Sequence, residues 1–307
     1  MEGDPMNGSK VRAVPRAVRL ALGTGALVVA TLMPALPASA TAHSASPTAK
    51  STSMGTYLAL GDSVAFGYRP SGATPPPNYN DPSSFVGYPE DLGRALQMKV
   101  VNASCPGETT ASMIAVGAQS NGCENSVGST IGYRSFFPLH VNYSGTQLAF
   151  AVNYLEHHST ELVTIDIGAN DAFVCEATTS DHCTSSAELE GLVTQIKDNL
   201  ATIYGEIRDE AHYTGPLVAL SYYSLNYSNG LDNAESQFLN AAIASVTKRF
   251  GGIMANGFGA FKVASARFGG DPCAAGLLVK VSGGCNIHPS AAGHLLLAGA
   301  IAQALGD

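Results

Sequence analysis

Tyr57-Leu58-Ala59-Leu60-Gly61-Asp62-Ser63-Val64 is a short apolar run that stops at a Gly-Asp-Ser turn. Leucine and alanine bounded by glycine fit a strand buried on both faces. Gly61 lets the chain turn sharply, which places Ser63 at the carboxyl end of the strand. In an open α/β sheet that edge is where ligands bind. Two roles are open to Ser63 on this stretch alone: a nucleophile, or the N-cap of the helix that starts soon after.

Working outward, further apolar runs at 99–103, 162–167, 217–221 and 253–255 read as strands. Amphipathic stretches between them predict helices over 90–98, 147–157, 187–211, 233–250 and 289–305. Strand and helix alternate with no internal repeat and no second linker. That order predicts one α/β domain over 56–307, with a parallel sheet covered on both faces. Residues 69–85 hold Pro70, Pro75, Pro76, Pro77 and Pro82 and can be neither regular helix nor central strand. Residues 117–143 show no sustained period and read as an irregular excursion tied down by Cys123.

The chain has 307 residues, enough for a full core. Lys10, Arg12, Arg16 and Arg19 precede an apolar segment over 20–36, and Ala38-Ser39-Ala40 offers a cleavage site. This is the pattern of an export signal over residues 1–40, followed by a flexible lead-in at 41–55, and it predicts a secreted protein cleaved near Ala40. Without residues 1–40 the chain loses four basic and two acidic side chains, leaving 12 Lys+Arg against 22 Asp+Glu, a net charge of −10. That balance argues against nucleic acid or an anionic membrane surface as partner. No later segment is long and apolar enough to insert stably in a bilayer. All six cysteines lie after residue 40, and an even count in an exported chain favours three disulfides. Fifteen pairings are possible; the spacing favours neighbours, Cys105 with Cys123, Cys175 with Cys183, and Cys273 with Cys285. No Cys or His spacing matches a metal site, so neither metal nor cofactor is expected.

Three polar turns share the predicted sheet edge: Gly61-Asp62-Ser63, the turn at Gly107, and Gly168-Ala169-Asn170-Asp171. His288-Pro289 stands at the expected start of the last helix. Ester hydrolysis through serine needs a base for the Oγ proton and donors for the oxyanion. Ser63 and His288 can be nucleophile and base. The N–H groups of Ser63 and Gly107 and the amide of Asn170 can be the donors.

These four blocks, in this order, resemble the SGNH (GDSL-type) hydrolase family over essentially all of the chain after the lead-in. The resemblance implies a flavodoxin-like three-layer α/β/α sandwich with a parallel sheet of about five strands. It also implies a serine esterase or lipase mechanism with the roles just given to Ser63, Gly107, Asn170 and His288. The Gly-x-Ser-x-Gly elbow of α/β-hydrolases is absent, because residue 65 is alanine.

One departure concerns the histidine. The family's Asp-x-x-His pattern would put an acid at position 285, where this chain has Cys285. Some disulfide-bearing members use a main-chain carbonyl instead. The expectation is therefore a Ser63–His288 dyad with Nδ1 of His288 donating to the carbonyl of Cys285, and Asp271 as the alternative. The predicted activity is hydrolysis of a small-molecule or lipid acyl ester by a monomer. A sugar-acetyl esterase is the nearest alternative, and a non-catalytic binding protein on the same fold the more distant one. Phe136-Phe137 and Tyr222 to Tyr227 could line an acyl pocket or simply anchor their loops.

Overall fold

In the computed structural model, which describes residues 54–306, the opening stretch forms β1 (Thr56–Gly61) and runs into a one-turn helix, α1 (Ser63–Phe66). The expected export signal and all but the end of the lead-in lie outside the described residues. Next come α2 (Tyr88–Leu96), β2 (Lys99–Asn102), α3 (Thr110–Ile114), α4 (Gln147–His157) and β3 (Leu162–Asp166). After them follow α5 (Ala169–Thr178), α6 (Ser186–Gly205), β4 (Leu217–Leu220), α7 (Gly230–Arg249) and β5 (Ile253–Ala255). The last described elements are α8 (Gly257–Ser265), β6 (Leu278–Val281), β7 (Gly284–Pro289) and α9 (Ala291–Gly306).

Strands β1 to β5 make one parallel sheet in the order β2-β1-β3-β4-β5. Alternate residues of each strand face opposite layers. Leu58, Leu60, Val163, Ile165, Leu217 and Ala219 pack against α4, α6 and α7. Tyr57, Ala59, Leu162, Val218 and Leu220 pack against α2, α8 and α9. Apolar side chains on both faces need helices on both, which gives the three-layer α/β/α sandwich. β1 lies between β2 and β3, and its carboxyl end delivers Ser63 near the middle of the sheet edge.

All three disulfides join the neighbours that the spacing favoured, Cys105–Cys123, Cys175–Cys183 and Cys273–Cys285. A third apolar cluster lies under the loops, with Phe66, Tyr68, Phe85, Tyr133 and Leu139 packed around the Cys105–Cys123 bridge. It gives the proline-rich 69–85 segment and the 117–143 excursion a core of their own.

Three elements depart from the sequence reading. The stretch after Asn170-Asp171 is helical, as α5, before its cysteine-closed loop. α8 was not expected. Residues 278–289 form an antiparallel hairpin, β6 with β7, so His288 ends a strand and does not begin the last helix. The Cys273–Cys285 bridge fastens β7 to the loop ahead of β6.

Candidate active site

The turn after β1 depends on glycine. Gly61 has φ +136°, and a Cβ there would lie 2.2 Å from the Asp166 carbonyl oxygen. Only glycine allows the β1 and β3 ends to approach this closely. Asp62 then caps α1, its Oδ1 accepting from the Val64 N–H at 2.9 Å. Ser63, the first residue of α1, is 6 % exposed.

Across 225 residues of sequence, His288 Nε2 lies 2.8 Å from Ser63 Oγ. The ring is buried and packs against Tyr68, with ring centroids 4.9 Å apart. Burial pushes its pKa down to about 4, so the imidazole is neutral near pH 7 and one ring nitrogen is free to accept a proton.

The group that holds the other ring nitrogen is not the expected one. Asn286 Oδ1 is hydrogen-bonded to His288 Nδ1 and also accepts from the His288 main-chain N–H at 3.2 Å. The carbonyl of Cys285 does not fill this place, because Asn286, two residues before the histidine on β7, folds its amide back onto the ring. Nor does Asp271: its Oδ1 accepts from the N–H groups of Cys273 at 2.8 Å and Ala274 at 3.1 Å, capping its own turn. With Asn286 oxygen as acceptor, the Nδ1–H tautomer follows from the hydrogen-bond network.

Gly107 has φ +84°, and a Cβ there would meet the Asn121 carbonyl oxygen at 2.6 Å. Asn121 braces this loop, donating its N–H to the Gly107 carbonyl at 2.8 Å. Its side chain also donates to Asn170 Oδ1 at 2.9 Å. Through that bond Asn121 fixes which end of the Asn170 amide carries the N–H donors. Asp171 holds the same corner, accepting from the Thr110 N–H at 2.9 Å and the Thr110 hydroxyl at 2.5 Å. Burial raises its pKa to about 6.

Beneath Ser63 lie two buried carboxyls. Tyr222 donates to Asp62 Oδ2 at 2.6 Å and Tyr88 donates to Asp166 Oδ1 at 2.8 Å. Burial raises both pKa values, and the nearby Asp62 charge pushes Asp166 well above the usual carboxylate range. Tyr223 donates to the Ile287 carbonyl at 2.7 Å, beside His288, and Tyr227 donates to the Phe258 carbonyl at 2.7 Å. The hydroxyls of Tyr222 and Tyr223 are thus tied to Asp62 and to the residue before His288, while that of Tyr227 anchors its own loop. Phe136 is 57 % exposed, whereas Phe137 packs on Tyr79 and Tyr133.

The four sequence-derived residues thus lie on three turns at the sheet edge and on the hairpin beside it. Sequence reasoning missed the parts played by Asn286 and Asn121, and named Tyr222 and Tyr223 only as pocket lining or loop anchors. Only Asn286 offered a signal, as a polar residue at the strand-like spacing of two from His288. A hydroxyl against a neutral imidazole can pass its proton to the ring and so act as a nucleophile.

Residues 59–296 match the model of the GDSL-like Lipase/Acylhydrolase family. This chain belongs to that family. Its members are ester hydrolases, and the GDSL-like chain described above has the family's α/β sandwich. No curated protein sequence matches it. Solved structures share its fold. Phospholipase A1 from Streptomyces albidoflavus NA297 is 20% identical, with a TM-score of 0.52, over 82% of this GDSL-like chain and 100% of that one. The lipase Lip_vut3 from a goat rumen metagenome is 14% identical, with a TM-score of 0.54, over 82% and 97%. An extracellular lipase from Streptomyces rimosus is 21% identical, with a TM-score of 0.50, over 81% and 99%.

Proposed function

We propose that this GDSL-like hydrolase is a secreted serine esterase or lipase that cleaves acyl esters through an acyl group carried on Ser63. The observation that carries the reading is the 2.8 Å approach of His288 Nε2 to Ser63 Oγ, with Nδ1 of the same ring held by Asn286. His288 Nε2 takes the Oγ proton as Oγ attacks the ester carbonyl carbon. The carbonyl oxygen becomes an oxyanion, received by the N–H groups of Ser63 and Gly107 and the Asn170 amide. Collapse breaks the bond to the alcohol oxygen, which leaves with the proton from Nε2. Water then repeats the sequence on the acyl-enzyme, and His288 returns the proton to Ser63. Asn286 keeps the proton on Nδ1, so Nε2 is the lone-pair nitrogen. A neutral amide stabilises the imidazolium less than a carboxylate would, which places more of the work on the oxyanion donors.

Secretion is supported by the three disulfides, which persist in oxidising compartments, and by the basic-then-apolar N-terminal sequence. Among the described residues no helix is long and apolar enough to cross a membrane. The acyl ester substrate class rests on the family, whose site residues do not encode acyl length or alcohol. A panel of nitrophenyl esters from acetate to palmitate, with a phospholipid and acetylated xylan beside them, tests it. Turnover of the nitrophenyl esters and its loss in Ser63→Ala are expected; no hydrolysis of any member contradicts the reading.

A further inference from the structure

A buried carboxyl outside the Ser63–His288 pair links the two loops that carry the site. Glu108 directly follows Gly107 and is 2 % exposed. Its Oε2 accepts from Gln147 Nε2 at 3.1 Å, and its Oε1 accepts from the Ser112 hydroxyl. Gln147, the first residue of α4, holds both main-chain groups of Gly61. Its Nε2 donates to the Gly61 carbonyl at 3.0 Å, and its Oε1 accepts from the Gly61 N–H at 2.7 Å. One buried amide therefore grips the turn two residues before Ser63, and the residue after Gly107 grips that amide. The Cys105 N–H adds a direct bond from the same loop to the Gly61 carbonyl at 3.1 Å.

The surroundings of this carboxyl are few. The 117–143 excursion brings Glu124 and Arg134, paired with each other at 2.5 Å, and the Tyr143 hydroxyl. It also brings Cys123 Sγ to 3.5 Å from Oε2, in a disulfide that offers neither a thiol proton nor a thiolate. α3 contributes Ser112 and α4 contributes Gln147, both uncharged. Burial pushes the Glu108 pKa up to about 7, against the lowering effect of the Ser112 and Gln147 donors.

We propose that Glu108, acting through Gln147, is a positioning residue that keeps the Gly61–Ser63 turn aligned with the Gly107 loop, and that its carboxylate form does this best. The inference rests on Ser63 and Gly107 acting as proposed above. A carboxylate accepts both bonds at once. A carboxylic acid puts a proton on one oxygen, where it meets a donor. If the Ser112 hydroxyl turns to accept it, Gln147 is left donating to a neutral oxygen, a bond roughly half as strong. The amide grip on Gly61 then loosens, and a small misplacement of a nucleophile relative to its oxyanion donors is expensive in rate.

The test is kcat and KM for p-nitrophenyl acetate between pH 4 and 9, in the wild type, Glu108→Gln and Ser112→Ala. The wild-type kcat rises twice, near pH 4 as His288 loses its proton and near pH 7 as Glu108 ionises. Glu108→Gln keeps the shape of the side chain and mimics the protonated form. It retains the lower rise, lacks the upper one, and at pH 8.5 has a kcat down about tenfold with KM unchanged. Ser112→Ala removes a donor to the carboxylate, so its upper rise moves to higher pH. An upper rise that persists in Glu108→Gln, a full kcat in that variant, or no movement in Ser112→Ala overturns the proposal. A wild type that hydrolyses no ester instead overturns the reading of Ser63 and His288.

Discussion

The Asn286 side-chain oxygen is hydrogen-bonded to Nδ1 of His288, in the place where the family pattern puts an acid three residues before the histidine. An amide at i−2 can serve because β7 is extended and its turn-side residue folds back. Removing it should uncouple the tautomer from the hydrogen-bond network. Asn286→Ala is expected to lower kcat by on the order of 10²-fold with little change in KM, short of the ~10⁴ seen when a triad acid is lost. Asn286→Asp should keep activity and move the acid limb of the pH profile upward, because a carboxylate favours the imidazolium. Steady-state kinetics over pH read both.

His288 and His294 are both buried and held neutral, with burial pushing them down to about 4 and about 3. A base whose folded pKa is depressed costs stability as pH falls from its unfolded value near 6.5. The folded protein should therefore lose stability from pH 6.5 down to about 4 on account of His288 and on to about 3 on account of His294. Neither ring nitrogen of His294 has a hydrogen-bond partner among the described residues, so His294→Leu gives up no bond. Urea unfolding at pH 7 and pH 4.5 should show a stability gain in His294→Leu that is larger at the lower pH.

Tyr222 donates to the buried Asp62 carboxyl that caps the helix of Ser63. Tyr222→Phe leaves that buried carboxylate with one donor fewer, a loss of about 1–3 kcal/mol. The expected result is a lower denaturant midpoint at pH 8 and a smaller difference near pH 4, where Asp62 can take up a proton. A midpoint unchanged at pH 8 contradicts a stabilising role for the Tyr222–Asp62 hydrogen bond.

Glu108 has the opposite sign to the histidines. An acid whose folded pKa is raised, here from 4.5 to about 7, costs stability above its unfolded pKa. The cost grows until pH passes the folded value and then stays constant. The shift is worth on the order of 3 kcal/mol. Glu108→Gln should therefore be more stable than the wild type at pH 8.5 and nearly equal to it at pH 5, as thermal melts at the two pH values would show. Lower activity with higher stability in one variant is the trade expected of a group kept for positioning.

Much of this fold was legible because buried parallel strands are written as apolar runs. β1, read as a strand over 56–61, β5 and α4 all match their predicted bounds. The hairpin that carries His288 was not legible. β6 and β7 are short, half-exposed and rich in glycine at their turn, so no period-2 pattern stands out. Ser63, Gly107, Asn170 and His288 were named because four short blocks, each weak alone, follow one another in the order of a known family. Asn286 was passed over because the search was for a carboxylate, and Asn121 because it lies in an aperiodic loop. Tyr222 and Tyr223 read equally as pocket lining or loop anchors because a sequence does not say where a hydroxyl points; the fold directs them to Asp62 and to the Ile287 carbonyl.

The most direct measurement is covalent capture. The wild-type protein would be treated with a fluorophosphonate ester, digested and analysed by mass spectrometry, alongside Ser63→Ala and His288→Ala. The account predicts a single phosphonyl adduct on Ser63, no adduct in Ser63→Ala, and labelling slowed by at least about 10²-fold without the base. An adduct on another residue, or ester hydrolysis that survives Ser63→Ala, would contradict it.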